Sequence, residues 1–225
     1  AYKPRDRSLS VDEVRAILGE LEGDRAAWVA WAVGSGAERA ALERAERADY
    51  DERAGLVRVR GTKNARRARV VPVVLPECKA LLRLALERAE GVAPKLLGPW
   101  HNVWRDLREA AKRAGVSTKG LSVHVLRHTW ASWHLAAGVS WDDVARGLGH
   151  ASTAMLHKTY AHLSPSELRS RYLPGDRVET VEPVQPVHAK VTGKQALSGA
   201  GGRNRTNDLG IMIPDVRRGT TTVVP

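Results

Sequence analysis

His124-Val125-Leu126-Arg127-His128-Thr129-Trp130-Ala131-Ser132-Trp133-His134-Leu135-Ala136-Ala137-Gly138-Val139-Ser140 is the stretch on which the reading of this chain turns. Apolar side chains recur through it at helical spacing, and Gly138 stops it, so a helix is expected from His124 to Ala137. Its first turns carry His124, Arg127 and His128. Leu148-Gly149-His150 follows, and Lys158-Thr159-Tyr160 closes the next helical pattern. The set offers one hydroxyl nucleophile, Tyr160, among cations and proton donors. A tyrosine hydroxyl attacks poorly at neutral pH, so it needs a cationic site around its target. Arginine grips two phosphate oxygens in a planar fork. Histidine and lysine donate hydrogen bonds or move protons. Such a set suits attack on a phosphodiester without a metal.

Outward from that stretch, most of the chain reads as helix. Ser10-Val11-Asp12-Glu13 is a capping box opening the first helix. Asp24 to Val33 is apolar nearly all round and therefore buried. Glu38 to Arg47 reads as a third helix and Asp49 to Gly55 as turn chemistry. The period then switches to alternation in Leu56 to Arg60 and Ala68 to Val73, two strands joined by a basic loop that holds Lys63, Arg66 and Arg67. Helical patterns resume over Pro76 to Glu90, Trp100 to Ala114, Trp141 to Leu148, Ser152 to Leu163 and Ser166 to Tyr172. The expected fold class is α+β, mainly helical with a small antiparallel hairpin or sheet. Residues 1–174 form the expected domain, and 175–225 lack periodicity and read as a tail of low order.

The 225 residues carry 36 Lys+Arg against 25 Asp+Glu, a net charge of +11. Most of that excess precedes Gly175, and such a balance suits nucleic acid as a partner. No apolar run approaches the roughly 18 residues of a membrane span. Cys78 is the single cysteine, which excludes an internal disulfide and fits a reducing, cytoplasmic setting. The chain opens on Ala1 rather than Met, as a fragment or a processed form would.

His124-x-x-Arg127, Gly149-His150 and Tyr160, with Lys63 in a hairpin, together resemble the catalytic domain of the tyrosine recombinases of the phage integrase family, over Asp6 to Leu173. The resemblance implies that Tyr160 attacks a DNA phosphate to give a 3′-phosphotyrosyl link, that Arg127 clamps the phosphate, that Lys63 protonates the leaving 5′ oxygen, and that His124 and His150 assist. It implies Lys63, Arg66 and Arg67 at the DNA and no metal or other cofactor. It also implies a homotetramer on paired sites with exchange of a C-terminal segment (here Ser164 to Tyr172), accessory DNA-bending or directionality factors, and a separate DNA-gripping domain. One position departs. Where the family carries its first catalytic arginine, this chain has Glu38, in Ser35-Gly36-Ala37-Glu38-Arg39. A carboxylate there repels phosphate. Arg39 is the candidate substitute, although one residue along a helix turns a side chain by about 100°.

Other readings stay open. The domain could bind DNA without cutting it, with Glu38 as the distinguishing feature, or could be a type IB topoisomerase-like enzyme with the same chemistry. His124 and His128 have the spacing of zinc ligands, but the metalloprotease motif needs Glu where Val125 stands. Gly202 to Pro214 can be encoded by codons that hold the complement of tRNA arms, as expected if the frame runs antisense through a tRNA gene at an attachment site.

Overall fold

Ser10 starts the first helix by reciprocal capping. Its hydroxyl accepts from the Glu13 amide at 3.1 Å, and the Glu13 carboxylate accepts from the Ser10 amide at 2.9 Å. The computed structural model describes residues 7–61, 68–90, 94–160 and 163–172. The elements in order are α1 (Val11–Gly19), α2 (Gly23–Ser35), α3 (Arg39–Leu42), a 3-10 turn (Arg47–Asp49), β1 (Tyr50–Asp51), β2 (Leu56–Val59), β3 (Arg69–Pro72), α4 (Pro76–Arg88), α5 (Val103–Arg113), α6 (Val123–Ala136), α7 (Trp141–Leu148), α8 (Ala154–Tyr160) and α9 (Pro165–Tyr172). The described residues fall in one compact unit. A second unit, Ala189–Pro225, lies outside the described residues, as do Lys63, Arg66, Arg67 and the whole tail.

α2 is the central helix. Every residue from Ala26 to Ser35 is buried, and the helix packs against α4, α6 and β3. The sheet is antiparallel in the order β1-β2-β3. Val57 lies opposite both Tyr50 and Val71, and Val57, Val59 and Val71 supply its buried face. The residues before α1 strap over α6: the Leu9 amide donates to Thr129 Oγ1 and the Trp133 indole N–H donates to the Leu9 carbonyl, each at 2.9 Å.

Two expectations need correction. The third helix does not run from Glu38 to Arg47; it stops at Leu42. The backbone of 45–47 pairs instead with 94–96: Arg47 N–H donates to Pro94 O at 2.9 Å and Leu96 N–H to Ala45 O at 3.1 Å. Glu46 and Asp49 then turn their carboxylates onto Arg60, at 2.7 and 2.6 Å. The sheet also has a third strand, because Tyr50–Asp51, within the stretch read as a turn, pairs with the start of β2.

Trp130 on α6 is wedged between two glycines. Gly36 caps α2 in the left-handed region, at φ 63°. A Cβ there would meet the Trp130 ring at 2.9 Å, and one on Gly147 of α7 would collide with the same ring. The two backbones can therefore lie against the indole only because neither has a side chain. This close approach aims the Gly36 and Gly147 carbonyls toward the arginines described next. α9 packs on α6 of its own chain, with Leu168 buried.

Candidate active site

Helix α6 sets out the site. His124 and Arg127 are three apart and share a face. With Glu38, Arg39 and Trp104 they line a cavity of about 370 Å³. Arg127 is nearly buried, and main-chain carbonyls aim it. Its Nη1 donates to Gly36 O at 2.7 Å and its Nη2 to Leu148 O at 2.5 Å. Leu148 ends α7, whose terminal carbonyls have no partner inside the helix. The Leu148-Gly149-His150 motif is the cap of that helix. Gly149 is left-handed at φ 70°, and the His150 amide turns back to donate to Ala145 O at 2.8 Å. His150 thus leaves α7 beside a carbonyl that holds Arg127.

Glu38 stands directly on the arginine. Its Oε2 accepts from Arg127 Nη1 at 2.9 Å, with side-chain exposures of 14% for Glu38 and 9% for Arg127. Arg39, the candidate substitute, lines the same cavity. Its guanidinium, however, pairs with Glu43 at 2.7 Å on the half-exposed surface of α3.

Arg69 is the residue that sequence reasoning missed. It opens β3, and its Nε donates to Gly147 O at 2.5 Å. Its Nη2 reaches Gly36 O at 3.3 Å and Glu38 Oε2 at 3.4 Å. Arg69 and Arg127 therefore share one carbonyl and one carboxylate oxygen, and both tie the α2–α3 turn to the end of α7. The one signal in the sequence was a charged residue at the inner end of an alternating strand.

Tyr160 is 3% exposed. The Ser132 hydroxyl donates to its oxygen at 3.2 Å, and its own hydroxyl lies 3.2 Å from His128 O and 3.3 Å from His128 Nδ1. Ser132 and His128 therefore cradle the candidate nucleophile against α6. Burial, then the electrostatic influence of His124 and Arg127, holds His128 down at about 4. Its imidazole is neutral at physiological pH and can accept a proton. His124 lies edge-on to it, ring centres 5.2 Å apart. Among the described residues no group of three or more His, Cys, Asp or Glu side chains could hold a metal ion, and no helix is long and apolar enough to cross a membrane.

The phage integrase family model matches residues 7–167. A putative integrase of Pseudomonas phage Pf1 is 44% identical over 63 residues, covering 28% of this chain and 19% of that protein. The tyrosine recombinase XerA of Saccharolobus solfataricus is 30% identical over 125 residues, covering 56% of this chain and 41% of its own. The chain thus spans less than half the length of either relative. Among solved structures, a XerA recombinase superposes with a TM-score of 0.61 at 26% identity, covering 72% of this chain and 61% of that one. The catalytic domain of bacteriophage HP1 integrase, at 22% identity, shares the fold with a TM-score of 0.52 over 72% of this chain and 91% of its own. XerH recombinase bound to its difH substrate shares it at 17% identity and a TM-score of 0.58, over 76% of this chain and 55% of that one. With its motifs in the family's order and the family model matched from Arg7 to Glu167, the chain belongs to the phage integrase family of tyrosine recombinases.

Proposed function

We propose that this chain is the catalytic domain of a site-specific DNA recombinase that cuts and rejoins DNA through a 3′-phosphotyrosyl intermediate, for integration or excision of a mobile element. The observation that carries the reading is the joint presentation of His124 and Arg127 at one cavity, with Arg127 aimed by carbonyls of the α2–α3 turn and the end of α7. In the proposed step the Tyr160 oxygen forms a bond to phosphorus as the bond to the 5′ oxygen breaks. The hydroxyl proton is taken up with the assistance of the site histidines, His124 and His150, and Lys63 protonates the leaving oxygen. Arg127 holds the non-bridging oxygens, with His124 and His150 donating hydrogen bonds. Tyr160 must first leave its cradle on α6. The partner is double-stranded DNA, met by Lys63, Arg66 and Arg67 as well. The homotetramer, the accessory factors and the tRNA attachment site belong to this proposal too.

The test is covalent trapping on a nicked duplex built from the element's attachment site. A denaturant-resistant protein–DNA adduct that Tyr160→Phe abolishes is expected. An adduct that survives Tyr160→Phe overturns the assignment of the nucleophile. A second reading, a domain that binds DNA without cutting it, is favoured by the 2.9 Å pair between Glu38 and Arg127. It predicts no adduct from the native chain and an adduct from Glu38→Arg.

A further inference from the structure

The geometry points to Glu38 as an internal occupant of the Arg127 anion site, held there by Arg69, so that a phosphate group enters only when that carboxylate leaves. The inference rests on the recombinase reading for which phosphate it concerns. It goes beyond that reading in making Glu38 and Arg69 positioning residues of the site.

A guanidinium accepts a carboxylate oxygen and a phosphate oxygen in the same manner, through charge-assisted hydrogen bonds in its plane. Glu38 Oε2 occupies such a place, 2.9 Å from Arg127 Nη1 and 3.4 Å from Arg69 Nη2. The three side chains are only 14%, 9% and 7% exposed. Salt and water therefore screen them far less than a surface pair. The site is open on one side, where Glu38, Arg127 and His124 face the same cavity. A free anion approaching from that side meets a negative oxygen in place of a vacant fork. It also competes with a group whose effective concentration is set by its covalent tether. Arg69 biases the contest. It lies across β3 with its Nε fixed on Gly147 O at 2.5 Å, so a second positive charge stands on the Glu38 side of the fork and draws the carboxylate inward. Arg39 offers no such pull, since its guanidinium is engaged 2.7 Å from Glu43.

The experiment uses inorganic phosphate as the probe and the full chain labelled with 15N-arginine. The Arg127 side-chain resonance, identified as the one that Arg127→Lys removes, is followed through a phosphate titration. Glu38→Gln and Glu38→Ala are titrated beside the native chain, two variants so that one failing to fold leaves the other to decide. The half-saturating phosphate concentration should fall about ten- to hundredfold once the charge-assisted competitor is gone. Arg69→Gln should lower it less, by loosening Glu38. Equal half-saturation in the native chain and a folded Glu38 variant overturns the inference. The same variants are then given the nicked duplex. Tighter phosphate binding with no Tyr160 adduct from any variant keeps the occupant and ends the recombinase reading. A native adduct with phosphate binding indifferent to Glu38 does the reverse.

Discussion

Replacing Arg69 by glutamine should be costly although nothing in the motif set names it. The side chain is 7% exposed. The change removes a charge-assisted hydrogen bond to Gly147 O at 2.5 Å and longer ones to Gly36 O and Glu38. Gly36 O and Glu38 keep Arg127 as a donor, so among these contacts the Gly147 bond dominates the loss. Such a bond is worth roughly 1.5–3 kcal/mol, and the weaker contacts bring the expected total to about 2–4 kcal/mol. For a domain of this size that corresponds to a fall in Tm of roughly 4–16 °C. The half-exposed Arg39–Glu43 pair gives the contrast, since breaking it should cost only about 0.5 kcal/mol. Urea unfolding of Arg69→Gln, Arg69→Lys and Arg39→Gln, followed by tryptophan fluorescence, measures all three. Lysine should recover less than half of the loss, because a single ammonium cannot reach the carbonyls and the carboxylate together. A loss for Arg69→Gln no larger than that of Arg39→Gln would refute the argument that Arg69 ties β3 to the α2–α3 turn and to α7.

Three further outcomes are expected. Burial, joined at His128 by the electrostatic influence of His124 and Arg127, holds His128 and His134 at about 4 in the folded chain. Both titrate near 6.5 when unfolded, so the unfolded state takes up more protons between those values. Stability should therefore be full above about pH 6.5 and fall toward pH 4, by about 3 kcal/mol for each histidine. A urea midpoint that stays flat between pH 7 and about pH 4.5 would contradict this. Gly147→Ala drives a Cβ into Trp130 and should cost about 1–3 kcal/mol in thermal unfolding; an unchanged Tm would show that the wedge can relax. Trp104 is 54% exposed at the cavity rim, with Arg108 4.7 Å from its ring. On the proposed DNA-binding reading, Trp104→Ala frees the Arg108 guanidinium from its ring and should weaken binding to a DNA duplex by up to about tenfold with no change in Tm, and fluorescence anisotropy showing equal affinity would remove Trp104 from the proposed surface.

What could be read in the sequence was what is decided locally. Ser10 and Glu13 cap α1 because capping needs only residues within one turn. The hairpin showed in the alternation around Val57 and Val71, and His124, Arg127 and His150 showed in the spacing of one helix and one helix cap. The end of α3 did not, because it depends on Pro94 and Leu96 pairing with residues far away in the chain. β1 was missed because two residues carry no period. Arg69 was missed for a deeper reason: its partners are carbonyls at Gly36 and Gly147, and a carbonyl leaves no mark in a sequence. Glu38 was recognised as out of place, but its hold on Arg127 needed the fold.

The reliance on carbonyls has a consequence for how such a domain changes over generations. Every residue carries a carbonyl, so no side-chain substitution at Leu148 deletes the acceptor that orients Arg127. The glycines hold their carbonyls in place by what they lack. The frame of the site is thus insulated from the identity of Glu38. On the proposed reading, a carboxylate at position 38 fills the fork without dismantling it, and replacing that one residue should leave Arg127 still aimed by Gly36 and Leu148. On that reading a filled and a vacant fork are neighbouring states of one scaffold, separated by a single position.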